Sequence, residues 1–257
     1  MEHSETVREQ FNRAAGAYAT SPIFAKGHDL GLMVQTGSPA PDMTVLDVGC
    51  GAGHTALAFA PHVREVTGID LSPGMRAVAT QQAAARGIAN VRFQEAGATQ
   101  LPFADSQFDI VACRYVAHHF PDLTPALTEI LRVLKPGGQF LVTDIISPED
   151  AAMAEFINRI ELLRDPSHSR DWMISEWQAA GERAGMPLAA IAEWEVPVDF
   201  ADWTARQQTP PAAVAELEAL LDSAPPAAQS AFSIVRSPQR SFQLWAALLR
   251  GFKPNNL

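Results

Sequence analysis

The residues with the most chemistry in their spacing are Gly49, Gly51 and Gly53, which follow the apolar run Val45-Leu46-Asp47-Val48 and precede a helical pattern that starts near His54. Glycines at a strand-to-helix turn let the backbone approach a ligand closely and leave N–H groups free to meet it. Which ligand depends on the third glycine. A dinucleotide fingerprint places it one position later, where this chain has His54, so a pyrophosphate seat is not supported. G-x-G-x-G suits a cofactor without phosphates instead. About 20 residues on, Asp70 closes the next apolar run, where a carboxylate can accept hydrogen bonds from two ribose hydroxyls. Standing alone, Asp70 would be a helix cap, because Ser72-Pro73 begins a helix just after it; beside the glycine loop it is a nucleoside contact, and adenosine is implied.

Two adjacent histidines, His118 and His119, follow the fourth apolar run, at the sheet edge where α/β proteins bind ligands. Histidine titrates nearest neutrality, so either is a candidate base or substrate ligand, the alternative being a helix-entry residue bonded to backbone. His119 is the preferred base. His168 and Arg170 sit in a polar turn that either borders an acceptor pocket or is a solvated loop. Tyr18, on an N-terminal amphipathic stretch, is either part of a lid over the cofactor or a core aromatic, and His28 is a weaker candidate of the same sort.

Elements must bring these residues together. Strands are expected at Thr44 to Val48, Glu65 to Ile69, Val91 to Glu95, Phe108 to Cys113 and Gly138 to Asp144, with helices in the gaps. Ser72 as N-cap, Pro73 at the first helical position and Gly87 past the last turn delimit one helix. Another is expected from about Thr124 to Leu134, stopped by Pro136-Gly137-Gly138. Right-handed crossovers between parallel strands make this a doubly wound α/β sheet. Val7, Phe11, Ala14 and Tyr18 predict a first helix, and a second is expected over Ile23 to Val34. After the fifth strand, Ser147-Pro148-Glu149-Asp150 has a capping-box pattern before a stripe of Met153, Phe156, Ile157, Ile160 and Leu163. A helix from Ser175 ends at Gly185. Late strands at Ala190 to Phe200 and Phe242 to Leu249 complete the sheet, with helices starting at Pro210-Pro211 and Pro225-Pro226 between them.

The chain has 257 residues, 47% of them hydrophobic, and a net charge of −10. No apolar run approaches the roughly 18 residues of a membrane span, and the acidic start is unlike a secretory signal, so cytoplasmic location and no membrane partner are expected. Nucleic acid is an improbable substrate, since no segment is dense in Lys or Arg. Cys50 and Cys113 form no metal-ligand spacing and are expected as reduced core thiols in apolar, strand-like contexts.

The segments VLDVGCGAGH at 45–54, VTGIDLSPGM at 66–75, LPFADSQFDIVACRYVAHHF at 101–120 and RVLKPGGQFLVTD at 132–144 resemble, in order and spacing, the motifs of class I S-adenosylmethionine-dependent methyltransferases. Within that superfamily they resemble the UbiE-type, methyltransferase type 11 branch, and CRYVAHHF with LRDPSH at 163–168 is similar to the bacterial YcgJ-like group. The resemblance implies a single domain with a Rossmann-like, seven-stranded, mostly parallel sheet. Residues 1–40 would form an N-terminal helical cap, 41–145 the cofactor-binding core, and 146–257 substrate-side helices and the last two strands. It also implies S-adenosyl-L-methionine as cofactor. Gly49 and Gly51 would pass under its methionine part, Asp47 would help hold the ammonium, Asp70 would take the ribose, and Leu71 and Met75 would pack on adenine. Arg114 stands where the family's backbone carbonyl receives the ammonium, with its side chain expected in a structural ion pair. The family often has an acidic residue for the adenine amine where this chain has Gly97, leaving the backbone N–H of Ala98 for the ring.

Such a cofactor implies in-line methyl transfer to a small-molecule acceptor, with C- or O-methylation the leading expectation. Five tryptophans, Trp172, Trp177, Trp194, Trp203 and Trp245, supply aromatic surface, most of it for the core. Two other functions compete. A noncatalytic subunit that binds S-adenosylmethionine or S-adenosylhomocysteine would lack a closed cavity beside the methyl, and a NAD-dependent oxidoreductase would bind NAD(H) in place of S-adenosylhomocysteine.

Overall fold

A computed structural model of the chain describes residues 2–20, 24–25 and 27–255. In chain order the elements are α1 (Glu2–Thr20), α2 (His28–Gly37), β1 (Thr44–Val48), α3 (His54–Phe59), β2 (Glu65–Asp70), α4 (Pro73–Ala85), β3 (Val91–Glu95), β4 (Phe108–Arg114), α5 (Leu123–Val133), β5 (Leu134–Ile146), α6 (Ala151–Arg164), α7 (Ile174–Ala184), β6 (Leu188–Asp199), α8 (Phe200–Gln207), α9 (Pro211–Asp222), α10 (Pro226–Ala231) and β7 (Ser241–Phe252). The seven strands form one sheet in the order β3-β2-β1-β4-β5-β7-β6, and β7 runs antiparallel to both of its neighbours. This is the Rossmann-like, mostly parallel sheet with flanking helices of the class I methyltransferases.

Hydrophobic continuity explains the central strands. All five residues of β1 are buried, as are Ile110 to Arg114 of β4, because crossover helices cover both faces of a parallel sheet. The chain crosses from one side of β1 to the other between β3 and β4, which opens a crevice beyond the carboxyl ends of β1 and β4. Each crossover helix turns an apolar stripe inward; in α5 it is Leu123, Ala126, Leu127, Ile130 and Val133. Helix α4 begins as its sequence dictates: Ser72 Oγ accepts the Met75 N–H at 3.1 Å, and Gly87 takes a left-handed φ of +65° just past the end.

Several boundaries move for local reasons. Strand β5 starts at Leu134, directly after α5 ends at Val133, so Pro136-Gly137-Gly138 lies inside the strand as an irregularity opposite Phe108 and Ile110. The late strands reach Leu188 to Asp199 and Ser241 to Phe252, longer pairings than their apolar cores suggest. Ser147 is not a helix cap. Asp150 caps α6 by accepting the Ala152 and Met153 N–H groups, while Ser147 Oγ donates to the Asp171 carbonyl. The expected second helix begins at His28, and Ile23 lies outside the described residues. Cys50 sits in the glycine turn after β1, whereas Cys113 is within β4; both are buried free thiols.

Helix α1 lies across the crevice. Asn12 Oδ1 accepts the Gly74 N–H at 2.9 Å, where any side chain on Gly74 would collide with it, and Glu95 joins Arg8 (2.7 Å) to Arg76 (2.9 Å). Helices α8 to α10, inserted before β7, build a second apolar cluster with α6 around Ile157, Ile160, Trp203, Leu217, Leu221 and Phe242. No helix among the described residues is long and apolar enough to cross a membrane.

Candidate active site

The crevice holds a cleft with about 1170 Å³ of empty space, mouth included. Its floor is the turn after β1. Gly49, Gly51 and Gly53 have φ of +67°, +48° and +87°, a region that side chains disfavour. Their reasons differ. A Cβ on Gly49 would stand 2.4 Å from Val116 Cγ1 and one on Gly53 2.9 Å from Ala79 Cβ, whereas at Gly51 nothing lies within 4 Å. Gly49 and Gly53 serve packing, and Gly51 leaves space for a ligand.

Asp70 anchors this turn. Its Oδ2 accepts the Gly51 N–H and its Oδ1 the Ser72 N–H, both at 2.8 Å, which leaves lone pairs of each oxygen over for the cleft that Asp70 lines. Burial pushes its carboxyl upward, against the bonds from Ser72 and Gly51. Leu71, Met75, Gly97 and Ala98 line the same end. Asp47 does not line the cleft. It is 1% exposed, accepts the Ala56 N–H at 3.0 Å at the start of α3, and burial pushes it up to about 7.

At the other end, Arg114 Nε donates to Asp29 Oδ2 at 2.5 Å and Nη1 to the Phe24 carbonyl at 3.0 Å. Its Nη2 is buried without a hydrogen-bond partner among the described residues, although Arg114 lines the cleft. Tyr18 stacks on Phe24 and donates to Gln207 Oε1 at 2.9 Å; it lines this cleft and a second one. His28 packs edge-on against Trp194 and lines neither.

The second cavity, with about 960 Å³ of empty space, mouth included, shares Phe11, Tyr18, Phe24 and Tyr115 with the first and continues to Trp203 and Leu244. The adjacent histidines part here. His119 lines the first cleft, with Nδ1 on the Ser167 carbonyl at 2.8 Å and Nε2 buried with no hydrogen-bond partner among the described residues; burial, followed by the charge of His118, pulls it down to about 3. His118 lines the second cavity. Its Nδ1 meets Asp144 Oδ1 at 2.6 Å, leaving Nε2 as the ring nitrogen available to the cavity. Burial opposes its charge, but Asp144, then Asp171 and Glu161, prevail and raise it to about 9. Geometry and basicity thus favour His118 over His119 for proton chemistry. His168 is buried beneath His118, stacked at 5.6 Å, and burial takes it down to about 2; Arg170 pairs with Glu176 at 2.6 Å, and neither lines either of these two cavities.

Asp144, Glu161, Arg164 and Asp171 escaped the sequence reading. Asp144 and Arg164 stood in the sequence only as members of the segments at 132–144 and 163–168, with no role of their own, and Glu161 and Asp171 carry no motif.

A family model described as a methyltransferase domain matches residues 46–142. The chain is 42% identical over 251 residues to the uncharacterized methyltransferase YcgJ of Bacillus subtilis, a match covering 96% of this chain and 99% of that protein. The crystal structure of YcgJ superposes with a TM-score of 0.86 over 88% of this chain and 98% of that one. A putative methyltransferase from Bacillus halodurans, 36% identical, gives 0.85 over 89% and 100%. Over 110 residues, 42% of this chain and 50% of the relative, the chain is 41% identical to the demethylmenaquinone methyltransferase of Thermus thermophilus. The chain belongs to the class I S-adenosylmethionine-dependent methyltransferases, in the family of YcgJ.

Proposed function

We propose that the protein transfers a methyl group from S-adenosylmethionine to carbon or oxygen of a small acceptor held in the second cavity. One observation carries this reading: a cleft suited to a phosphate-free nucleoside meets a second, substrate-sized cavity across the shared aromatic residues Phe11, Tyr18, Phe24 and Tyr115. A cavity in that position is what a binding-only subunit has no need of.

The residues of the first cleft fit the cofactor. Asp70 accepts the ribose hydroxyls, Leu71 and Met75 pack on adenine, and the Ala98 N–H meets the ring. Gly49 and Gly51 would pass beneath the methionine portion, and the Arg114 Nη2 left unpartnered among the described residues would meet its carboxylate. Asp47 acts from below by fixing the first turn of α3. Bound S-adenosylmethionine supplies a methyl on a positively charged sulfur, which an acceptor's electron pair claims while the sulfur–carbon pair stays with S-adenosylhomocysteine. The protein's part is to orient the acceptor and exclude water, and the aromatic wall and α1 do both.

Calorimetry with S-adenosylhomocysteine tests the cofactor assignment. Asp70→Ala is expected to weaken binding by about 1.5–3 kcal/mol, the scale of hydrogen bonds to a charged group. Unchanged affinity, or NADH binding in its place, would overturn the assignment. A gain is expected at Gly97, where a Cβ meets only Leu71 Cδ2, at an ordinary 3.6 Å. Gly97→Asp restores a carboxylate for the adenine amine and should tighten S-adenosylhomocysteine by roughly 0.5–1.5 kcal/mol, one net hydrogen bond. No gain in the same titration would mean that adenine lies away from residue 97.

A further inference from the structure

The second cavity contains a buried ionisable cluster that methyl transfer as such does not require. His118 is fixed by Asp144, which also accepts the His118 backbone N–H at 3.1 Å and the Ile145 N–H at 2.9 Å. Glu161, from α6, pairs with Arg164 at 3.5 Å. Asp171 is 1% exposed and lines the cavity, yet its Oδ2 has no hydrogen-bond partner among the described residues.

Three carboxyls face one imidazole, and two of them already have a cation each: Asp144 has His118 and Glu161 has Arg164. The third has none. Burial, then the neighbouring charge of Glu161, pushes the Asp171 carboxyl well up, so it keeps its proton where an ordinary aspartate loses it. His118 keeps its proton as well. His119 and His168, packed on the other sides of that ring, are pulled down and stay neutral. The wall therefore offers two hydrogen-bond donors, the Nε2–H of His118 and the carboxyl O–H of Asp171, whose Oδ2 has no partner among the described residues. Such a pair suits an oxygen that bears negative charge, since a carboxylic acid held neutral by its surroundings donates strongly to an oxyanion. Elsewhere in the lining, Tyr18, Phe24, Tyr115, Trp203, Val196 and Leu244 give a flat, apolar body its surface, with Glu161, Arg164, Arg206, Asp199 and Asp202 as the charged side chains around it.

We propose that this cavity binds its acceptor as a phenolate or enolate, with the charged oxygen held between His118 Nε2 and the unpartnered carboxyl of Asp171. The inference rests on the second cavity being the acceptor site. The acceptor's proton goes to solvent on binding, and its negative charge makes the oxygen, or the carbon conjugated to it, the nucleophile.

The test uses the full chain saturated with S-adenosylhomocysteine and two probes, 4-nitrophenol and 1,3-cyclohexanedione, followed by their ultraviolet and visible absorbance across pH. Bound probe is expected to ionise about one pH unit or more below free probe, a tenfold or larger preference for the anion. His118→Ala and Asp171→Ala should each remove most of that shift. Asp171→Asn should keep it, because the amide still donates. An unshifted probe, no probe binding, or an Asp171→Asn variant that behaves like Asp171→Ala would overturn the proposal. S-adenosylhomocysteine affinity, measured on the same samples, separates the cases: if it is intact, the oxyanion site alone has failed, and if it is absent, the cofactor reading has failed with it.

Discussion

Replacing Asp144 with asparagine is expected to lower the unfolding free energy by about 3–5 kcal/mol near neutral pH, the scale of breaking a buried ion pair from one side. Asp144 is 1% exposed and accepts three hydrogen bonds, from the His118 ring, the His118 backbone and the Ile145 backbone. Asparagine has nearly the same shape, so packing survives and the charge is what goes. The pH dependence identifies the cause. His118 has a folded value of about 9 against an ordinary 6.5, so binding its proton favours the folded state. That contribution is fully present below pH 6.5 and is lost as the pH climbs through about 9. Urea denaturation of both proteins should show the widest gap below the lower value and a narrower one above the upper. A gap that stays constant across this window would assign the stability to the backbone bonds of Asp144 and not to the imidazolium.

Gly49→Ala should cost about 2–5 kcal/mol of stability, in two parts. A left-handed φ of +67° costs a side-chain-bearing residue about 1–2 kcal/mol, and the new methyl would lie 2.4 and 2.7 Å from the two methyls of Val116, an overpacking of about 1–3 kcal/mol. Two turn residues on, Gly51→Ala has the first cost without the second, because its methyl meets no protein atom within 4 Å. It stands in the cleft instead. Thermal unfolding should therefore separate the two variants, with Gly49→Ala melting lower, while S-adenosylhomocysteine titration should place the larger loss of affinity relative to stability at Gly51→Ala. Equal melting points would mean that Val116 moves aside freely.

Motifs with local physics were legible along the chain. The start of α4 follows from Ser72 and Pro73, its end from Gly87, and the starts of α9 and α10 from the proline pairs, because caps and fixed φ angles act within a few residues. Ser147 looked like a cap by spacing. It bonds instead to a carbonyl 24 residues away, a partner that no local pattern reveals. The expected bounds of β5 and β7 and the expected start of β6 fell short for the same reason: strand length is set by the neighbour that completes each ladder, and here β5, β6 and β7 extend one another, while β6 ends at Asp199, one residue before the expected Phe200, which opens α8.

The pair His118–His119 marks the boundary between the two kinds of information. Their position after β4 follows from the order of apolar runs, and so does their presence at the carboxyl edge of the sheet. Their opposite basicities do not, since those come from Asp144, Ser167, Glu161 and Asp171, which folding brings in from β5, α6 and the turn before α7. The glycine turn, Asp70 and the class of fold were written in the linear order of residues, because backbone conformation and strand–helix alternation are short-range properties. The second cavity and its ionisable wall were decided by tertiary structure alone, because burial and charge–charge interaction depend on distance in space.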